Sequence, residues 1–428
     1  MKTMGNNAGW LTLDNAAKIY PATSTESSPA VFRLIAILSN PIKYSELQIA
    51  LKKVILRCPY FQVFLKKGFF WYYLQRHNSI PEIQLLEPIP NLSLLNKKKI
   101  SHLLQIGIRE NTIAIDFSHI ITDGSGAIRF LMTLIYEYLD QCGIRIERNN
   151  EILDTAVEPA IDEYEDAHRK FFQDGIPKPE NLSPAFHLPG KPLYHQKYSV
   201  LSGKIKITEI LDLARKNNVT LTEYLSALYM FCLIQIYENE AGKGRKPGRS
   251  VIRLEVPVNM RQFFKSQTMR NFSLYVSPEI DLKLGNYNFR ELLKRVHHSI
   301  QMQIDSKELG RQISRNVGAE LNPIIRIFPL FLKDVYLSWI YSRLCENVYS
   351  GVLTNLGKVN IPEEMKPFIE SFRVLLYPNR VMKKSCTIIS YQNDLHITFC
   401  SFIENRELER LFFTKLVEAG ISVSVMEE

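Results

Sequence analysis

The sequence predicts an α/β protein of two layered domains, each a mixed sheet packed with helices, and three observations support this. At 428 residues the chain exceeds what one ordinary hydrophobic core organises, so two domains of about 200 residues each are expected. Strand-like and helix-like periodicities alternate through both halves, but several strands join through tight turns, which argues against a simple parallel, doubly wound sheet. From about residue 145 to 198 the pattern fades while Pro177, Pro179, Pro184, Pro189 and Pro192 accumulate, so this stretch reads as a crossover between domains 1–200 and 201–428.

In the first half, residues 31–38 read as a strand and residues 45–57 as a helix, with Leu47, Ala50, Leu51, Val54 and Ile55 on one face before Cys58-Pro59 ends it. Residues 61–65 and 69–75 resemble a hairpin about Lys66-Lys67-Gly68. Residues 102–108 and 112–117 form a second strand pair, the latter alternating Ile113, Ile115 and Phe117. Residues 127–138 then carry the apolar spacing of a buried helix ending near Cys142-Gly143.

The second half opens with a strand at 203–207 and helices at 208–216 and 221–237, the latter capped by Thr220. Strands follow at 250–257, 272–276, 371–376, 385–391 and 395–402, with helices at 289–303 and 406–417. Residues 323–344 are rich in large apolar side chains but contain Arg326, Lys333 and Asp334, so a buried or partly interfacial helix is expected there rather than a membrane span.

Composition narrows the function classes. The start, Met1 to Trp10, lacks the basic, apolar and small-residue succession of a secretory signal, and no apolar run is long enough to span a bilayer, so a cytoplasmic protein without stable membrane insertion is expected. Cys58, Cys142, Cys232, Cys345, Cys386 and Cys400 are scattered without a paired spacing and read as reduced, mostly buried thiols. A net charge of +9 suits a polyanionic partner, but the basic residues are dispersed and no nucleic-acid motif is present, which disfavours nucleic acid and leaves a phosphorylated cofactor compatible. The basic loop with Lys243, Arg245, Lys246 and Arg249 could meet phosphates, but such loops are more often simply solvated.

The chemistry concentrates in Ser118-His119-Ile120-Ile121-Thr122-Asp123-Gly124. A histidine leaving a strand can present its imidazole to a cleft while the turn fixes the ring, which general base catalysis near neutral pH requires. Asp123 could orient His119 directly, or the turn could send its carboxylate away towards a basic residue that holds the turn. Gly124 gives the turn backbone freedom, and Gly126 leaves room for a close approach. Zinc binding would need a third ligand at recognisable spacing, and none lies nearby.

With residues 117–124 the chain resembles the coenzyme A-dependent acyltransferase superfamily, which includes chloramphenicol acetyltransferase, plant BAHD acyltransferases, condensation domains and alcohol acetyltransferases. Val256-Pro257-Val258-Asn259-Met260-Arg261 with Met269-Arg270-Asn271-Phe272 is similar to the family's second motif, and Leu353-Thr354-Asn355-Leu356-Gly357-Lys358-Val359 resembles its late strand. The resemblance implies two chloramphenicol acetyltransferase-like domains with an active-site channel between them and His119 as the base. It further implies that Asp123 pairs with Arg261 and braces the turn, and that Asn271 and Asn355 organise the channel and late strand. Thr354 is a candidate oxyanion donor. Acyl-CoA is then a co-substrate rather than a resident cofactor, no metal is needed, and the acceptor is an alcohol or amine, with an acyl carrier protein as a further partner. Ser118 stands where condensation domains have a first histidine, and a clear Asp-Phe-Gly-Trp-Gly segment is missing. The first departure favours acyl transfer to an alcohol over peptide-bond formation, and the second distinguishes the chain from the plant enzymes. A rival of another class is a non-catalytic thioester- or peptide-binding module of the same fold.

Overall fold

Val31–Leu38, a nearly continuous apolar run, and the alternating Thr112–Ser118 occupy the interior of a five-stranded sheet ordered Ile369–Leu376, Val31–Leu38, Thr112–Ser118, Leu104–Arg109, Ile83–Leu85. The computed structural model describes residues 9–25, 30–88, 102–193, 198–244 and 248–427; Arg245, Lys246, the start of the Met1 to Trp10 stretch and the side chain of Cys345 lie outside the described residues. Pairing is antiparallel except between Ile83–Leu85 and Leu104–Arg109. Helices Tyr44–Arg57 and Gly124–Gln141 pack together over this sheet, joining Leu47, Leu51, Val54, Phe130 and Leu134 in one core. The second helix starts at Gly124, three residues ahead of the expected start, because Asp123 caps it by accepting from the Gly126 N–H at 3.0 Å.

A larger sheet runs Ser273–Val276, Val251–Asn259, Gly351–Lys358, Lys384–Tyr391, Asp394–Ser401, Ser199–Lys206, Ser424–Glu427, with Glu279–Asp281 also paired to Val251–Asn259. Leu221–Gly242 is apolar on almost every side, and it packs against both Phe289–Gln303 and Glu407–Glu418 while contributing Leu225, Leu228 and Leu233 to the second core. Thr220 caps it as expected, in a reciprocal box with Glu223. The mixed α/β architecture expected from the sequence is the one observed.

The sheets do not divide the chain at its midpoint. Ile369–Leu376, from the second half, pairs in antiparallel register with Val31–Leu38, so the first sheet is completed by a strand from far along the chain. The next strand, Lys384–Tyr391, belongs to the larger sheet, and Thr387 Oγ1 donates to the Val374 carbonyl across the gap at 2.5 Å. Ile35, Ala114, Val200, Leu375, Cys400 and Phe402 form a small apolar cluster between the sheets.

Two local expectations change, and one helix lies where none was expected. The hairpin strands are Val63–Lys67 and Tyr72–Arg76, with the turn displaced to residues 68–71 because only glycine fits at position 68, where a Cβ would lie 2.6 Å from the Trp71 carbonyl oxygen. Residues 323–344 are not one buried helix: Phe328 is extended before Pro329, which separates Pro323–Ile327 from Leu330–Ile340 and the π-helical Tyr341–Glu346, and much of the apolar face is exposed. Helix Ser306–Leu321, whose charged sequence hides its apolar stripe, is capped by Asp305. No single helix among the described residues is long and apolar enough to cross a membrane. Cys58, Cys142, Cys232 and Cys386 are free thiols, and burial pushes those of Cys58 and Cys232 up to about 12.

Candidate active site

His119 follows directly on strand Thr112–Ser118, and its backbone is held from both sides. Its N–H donates to the Ala30 carbonyl at 2.9 Å, and its carbonyl accepts from Asn271 Nδ2 at 2.9 Å. The imidazole stacks on Tyr20, with ring centroids 5.3 Å apart, and tilts against Phe32 at 4.5 Å. Burial lowers its pKa to about 4, while the Asp123 charge and the Thr122 backbone act in the opposite sense. The ring is therefore neutral at physiological pH. Nδ1 is buried without a hydrogen-bond partner among the described residues.

Asp123 turns away from a charge-relay role and towards the second half of the chain. Arg261 Nη1 and Nη2 donate to its two carboxylate oxygens at 2.9 and 3.2 Å, and the Phe272 and Gly126 N–H groups add bonds of 2.8 and 3.0 Å. Burial pushes this carboxyl upwards, but the Arg261 charge and these hydrogen bonds outweigh it and hold it below its ordinary value. Arg261 also binds the carbonyls of Thr268 and Arg270 at 2.8 and 2.7 Å, so one guanidinium clamps both the turn after His119 and the 268–272 segment.

The glycines admit this close approach. A Cβ at Gly126 would overlap the Met269 carbonyl oxygen and Thr122 Oγ1, and Thr122 Oγ1 itself donates to that carbonyl at 2.6 Å. Gly124 is packed under Leu356 of the late strand. In that strand Asn355 Nδ2 donates to Thr222 Oγ1 at 3.0 Å, and its Oδ1 accepts from the N–H of Gly357, which has φ of +78°. Asn355 thus shapes the end of the strand and ties it to the start of Leu221–Gly242.

Thr354 lies on the opposite face from Asn355. Its lateral partner Thr387 reaches the first sheet, whereas the flanking Leu353 joins the core under the helices. Thr354 Oγ1 is buried and without a hydrogen-bond partner among the described residues. The structure thus joins His119, Asp123, Gly124, Arg261 and Asn271 in one connected network, links the late strand to it through Leu356, and places Asn355 apart as a strand-end brace.

No family model and no curated protein matches the sequence. Solved structures do. Polyketide synthase associated protein 5 from Mycobacterium tuberculosis is 15% identical over 95% of this chain and 97% of that one, with a TM-score of 0.63. TRI101 of F. sporotrichioides, complexed with coenzyme A and T-2, is 12% identical over 96% and 99%, also at 0.63. The starter condensation domain of rhizomide synthetase, in complex with C8-CoA, is 12% identical over 96% and 95%, at 0.59. The chain has the fold of these three proteins.

Within this fold, sequence reasoning missed several residues that build the site. Asp14 is fully buried, accepts from Asn271 Nδ2 at 3.1 Å and from the Ala17 N–H at 2.8 Å, and lies 3.5 Å from Arg270 Nε. It braces the same asparagine that holds His119, from a position 257 residues away in sequence. Tyr20 was equally hidden, because a lone tyrosine near the start of the chain carries no local signal. Glu255 is laterally paired with Val352 and so shares the face of Thr354; burial pushes its carboxyl up to about 7. Only the alternation of its strand, with Leu254 and Val256 turned into the core, could have pointed to it. Among the described residues no group of three or more His, Cys, Asp and Glu gathers as metal ligands do.

Proposed function

We propose that this protein transfers an acyl group from a coenzyme A thioester to the hydroxyl of an alcohol acceptor, with His119 as the general base in a channel between the two sheets. The observation that carries the proposal is His119 itself: a neutral imidazole, fixed at a strand exit by Ala30 and Asn271 and oriented by Tyr20 and Phe32, with its charged neighbour Asp123 engaged elsewhere. The acceptor O–H gives its proton to the ring as oxygen attacks the thioester carbonyl. A C–O bond forms, the tetrahedral oxyanion collapses, the C–S bond breaks, and the imidazolium returns the proton to the thiolate, leaving an ester and free coenzyme A.

Burial makes the imidazolium costly in the resting protein, but in this step it forms beside a developing oxyanion. The two charges compensate each other, so a base of low resting pKa is coupled to the step that creates its counter-charge. The Thr354 hydroxyl, which has no hydrogen-bond partner among the described residues and lies on the sheet face turned to the first sheet, is the proposed donor to that oxyanion. The Asp123–Arg261 pair is a positioning device, and Asn271 holds the His119 carbonyl.

An acyl-CoA by acceptor screen, read by free thiol release and by product mass, tests this. Turnover with an alcohol that falls by about 10²–10⁴ in His119→Ala supports the assignment. Full activity in that variant overturns the role of His119. Thioester binding without turnover across alcohols and amines favours a non-catalytic module, and turnover only with an acyl carrier protein as donor favours a condensation-type reaction.

A further inference from the structure

Helix Leu330–Ile340 is inverted relative to an ordinary surface helix. Its cationic residue Lys333 is 2% exposed, with Nζ donating to the Phe70 carbonyl at 2.9 Å and lying 3.9 Å from the centre of the Trp71 ring. Its apolar residues point outward: Phe331 is 61% and Trp339 57% exposed, and Val335 lies between them on the same stripe. Ile324 and Ile327 of the preceding short helix continue the exposed apolar surface.

The hairpin tip extends this surface. Phe69 and Phe70 are exposed, and the tip is fastened to the helix by the Leu330 N–H donating to the Phe69 carbonyl at 2.9 Å and by Tyr72 Oη donating to Asp334 at 2.9 Å. An outward apolar face of this extent exceeds the scattered apolar residues of an ordinary surface. Its anchoring through a buried lysine and a tethered aspartate makes the orientation specific to this structure.

The charges around the face indicate its occupant. Lys67, Arg326 and Arg343 are exposed at its edges, whereas the one acid between residues 323 and 343, Asp334, is half-buried and hydrogen-bonded by Tyr72. Association with a second copy of the chain would bring these cations against their own equivalents, in a protein of net charge +9. Phe, Trp and Tyr with basic residues at the rim are the composition of a segment that lies in a bilayer interface, with its rings at headgroup depth.

We infer that Leu330–Ile340 and the Phe69-Phe70 hairpin tip together form a peripheral docking surface for an anionic lipid bilayer. The exposed rings enter the interface and Lys67, Arg326 and Arg343 meet the lipid phosphates and carboxylates. The helix also packs against Tyr20–Thr23, whose Tyr20 ring stacks on His119, so the element that carries the docking face is in contact with a segment of the site.

Flotation of the full chain with vesicles of phosphatidylcholine alone, and of phosphatidylcholine mixed with phosphatidylserine, tests it. The protein is expected to float with the anionic vesicles and much less with the neutral ones, and added salt is expected to release it. Phe331→Asp with Trp339→Asp is expected to weaken binding by at least about tenfold, as is Arg326→Glu with Arg343→Glu, with circular dichroism unchanged because all four side chains are exposed. As a second measurement, Trp emission is expected to shift to the blue on binding, and Trp339→Phe to reduce that shift while still floating. Failure to float with either vesicle, equal binding to both, or unchanged binding by the double variants overturns the inference. So does a concentration-dependent dimer that Phe331→Asp disperses in a protein that ignores vesicles.

Discussion

Asp123 and Arg261, 138 residues apart, meet in a two-pronged ion pair of 2.9 and 3.2 Å, and the same guanidinium binds the carbonyls of Thr268 and Arg270. The pair therefore joins the turn that follows His119 to the segment that carries Asn271. Arg261→Ala leaves Asp123 buried and short of its counter-charge, which is expected to cost about 3–5 kcal/mol of stability. Thermal unfolding checks this, and Asp123→Asn is expected to melt early as well. An unchanged melting temperature with lost turnover would instead make Arg261 a group that acts on substrate.

The pKa of about 4 at His119 has consequences for both rate and stability. A base already neutral at physiological pH gives a kcat/KM profile that is flat through neutrality and falls only as pH descends towards about 4. Because folding lowers this pKa from its ordinary 6.5, the contribution to stability is fully present above 6.5 and is lost as pH falls through about 4. His119→Gln is expected to reduce that acid-side loss in melting curves measured across the range.

Glu255 behaves with the opposite sign. Its folded pKa, pushed by burial from 4.5 to about 7, means that ionisation opposes folding, so stability present below 4.5 is lost as pH rises through about 7. Glu255→Gln is expected to raise the melting temperature on the alkaline side of 7 and to leave it nearly unchanged below 4.5. Equal effects at both extremes would place the carboxylate in contact with solvent.

Gly126→Ala places a methyl group onto the Met269 carbonyl and Thr122 Oγ1. Backbone cannot rotate away as a side-chain tip can, so a loss of about 1–3 kcal/mol is expected, together with reduced turnover. Denaturant unfolding and steady-state rates on the same preparation measure both.

Thr354→Val keeps the shape of the strand residue and removes the hydroxyl. If that hydroxyl donates to the oxyanion, kcat is expected to fall by about a hundredfold or more with KM little changed. A rise in KM alone would mark a ground-state contact.

Much of the local structure was legible because it is written at short range. Alternation in Thr112–Ser118 places His119 at a strand exit, and Thr220 with Glu223 announces the start of Leu221–Gly242. The segment at 323–344 was harder. Its composition matches a buried helix, and nothing local says that Lys333 would turn inward onto Trp71 while Phe331 and Trp339 turn out.

By itself, the sequence determined most of the element types, the room for a close approach at Gly126, and the presence of a histidine where a strand ends. Tertiary structure alone decided that Asp123 faces Arg261, that Asp14 and Tyr20 support Asn271 and His119, and that Ile369–Leu376 completes the first sheet. Periodicity and capping record which face of an element is buried and where it begins, since both depend on neighbours a few residues away. The partner buried against that face is chosen by packing and charge compensation between distant segments, which no local pattern contains.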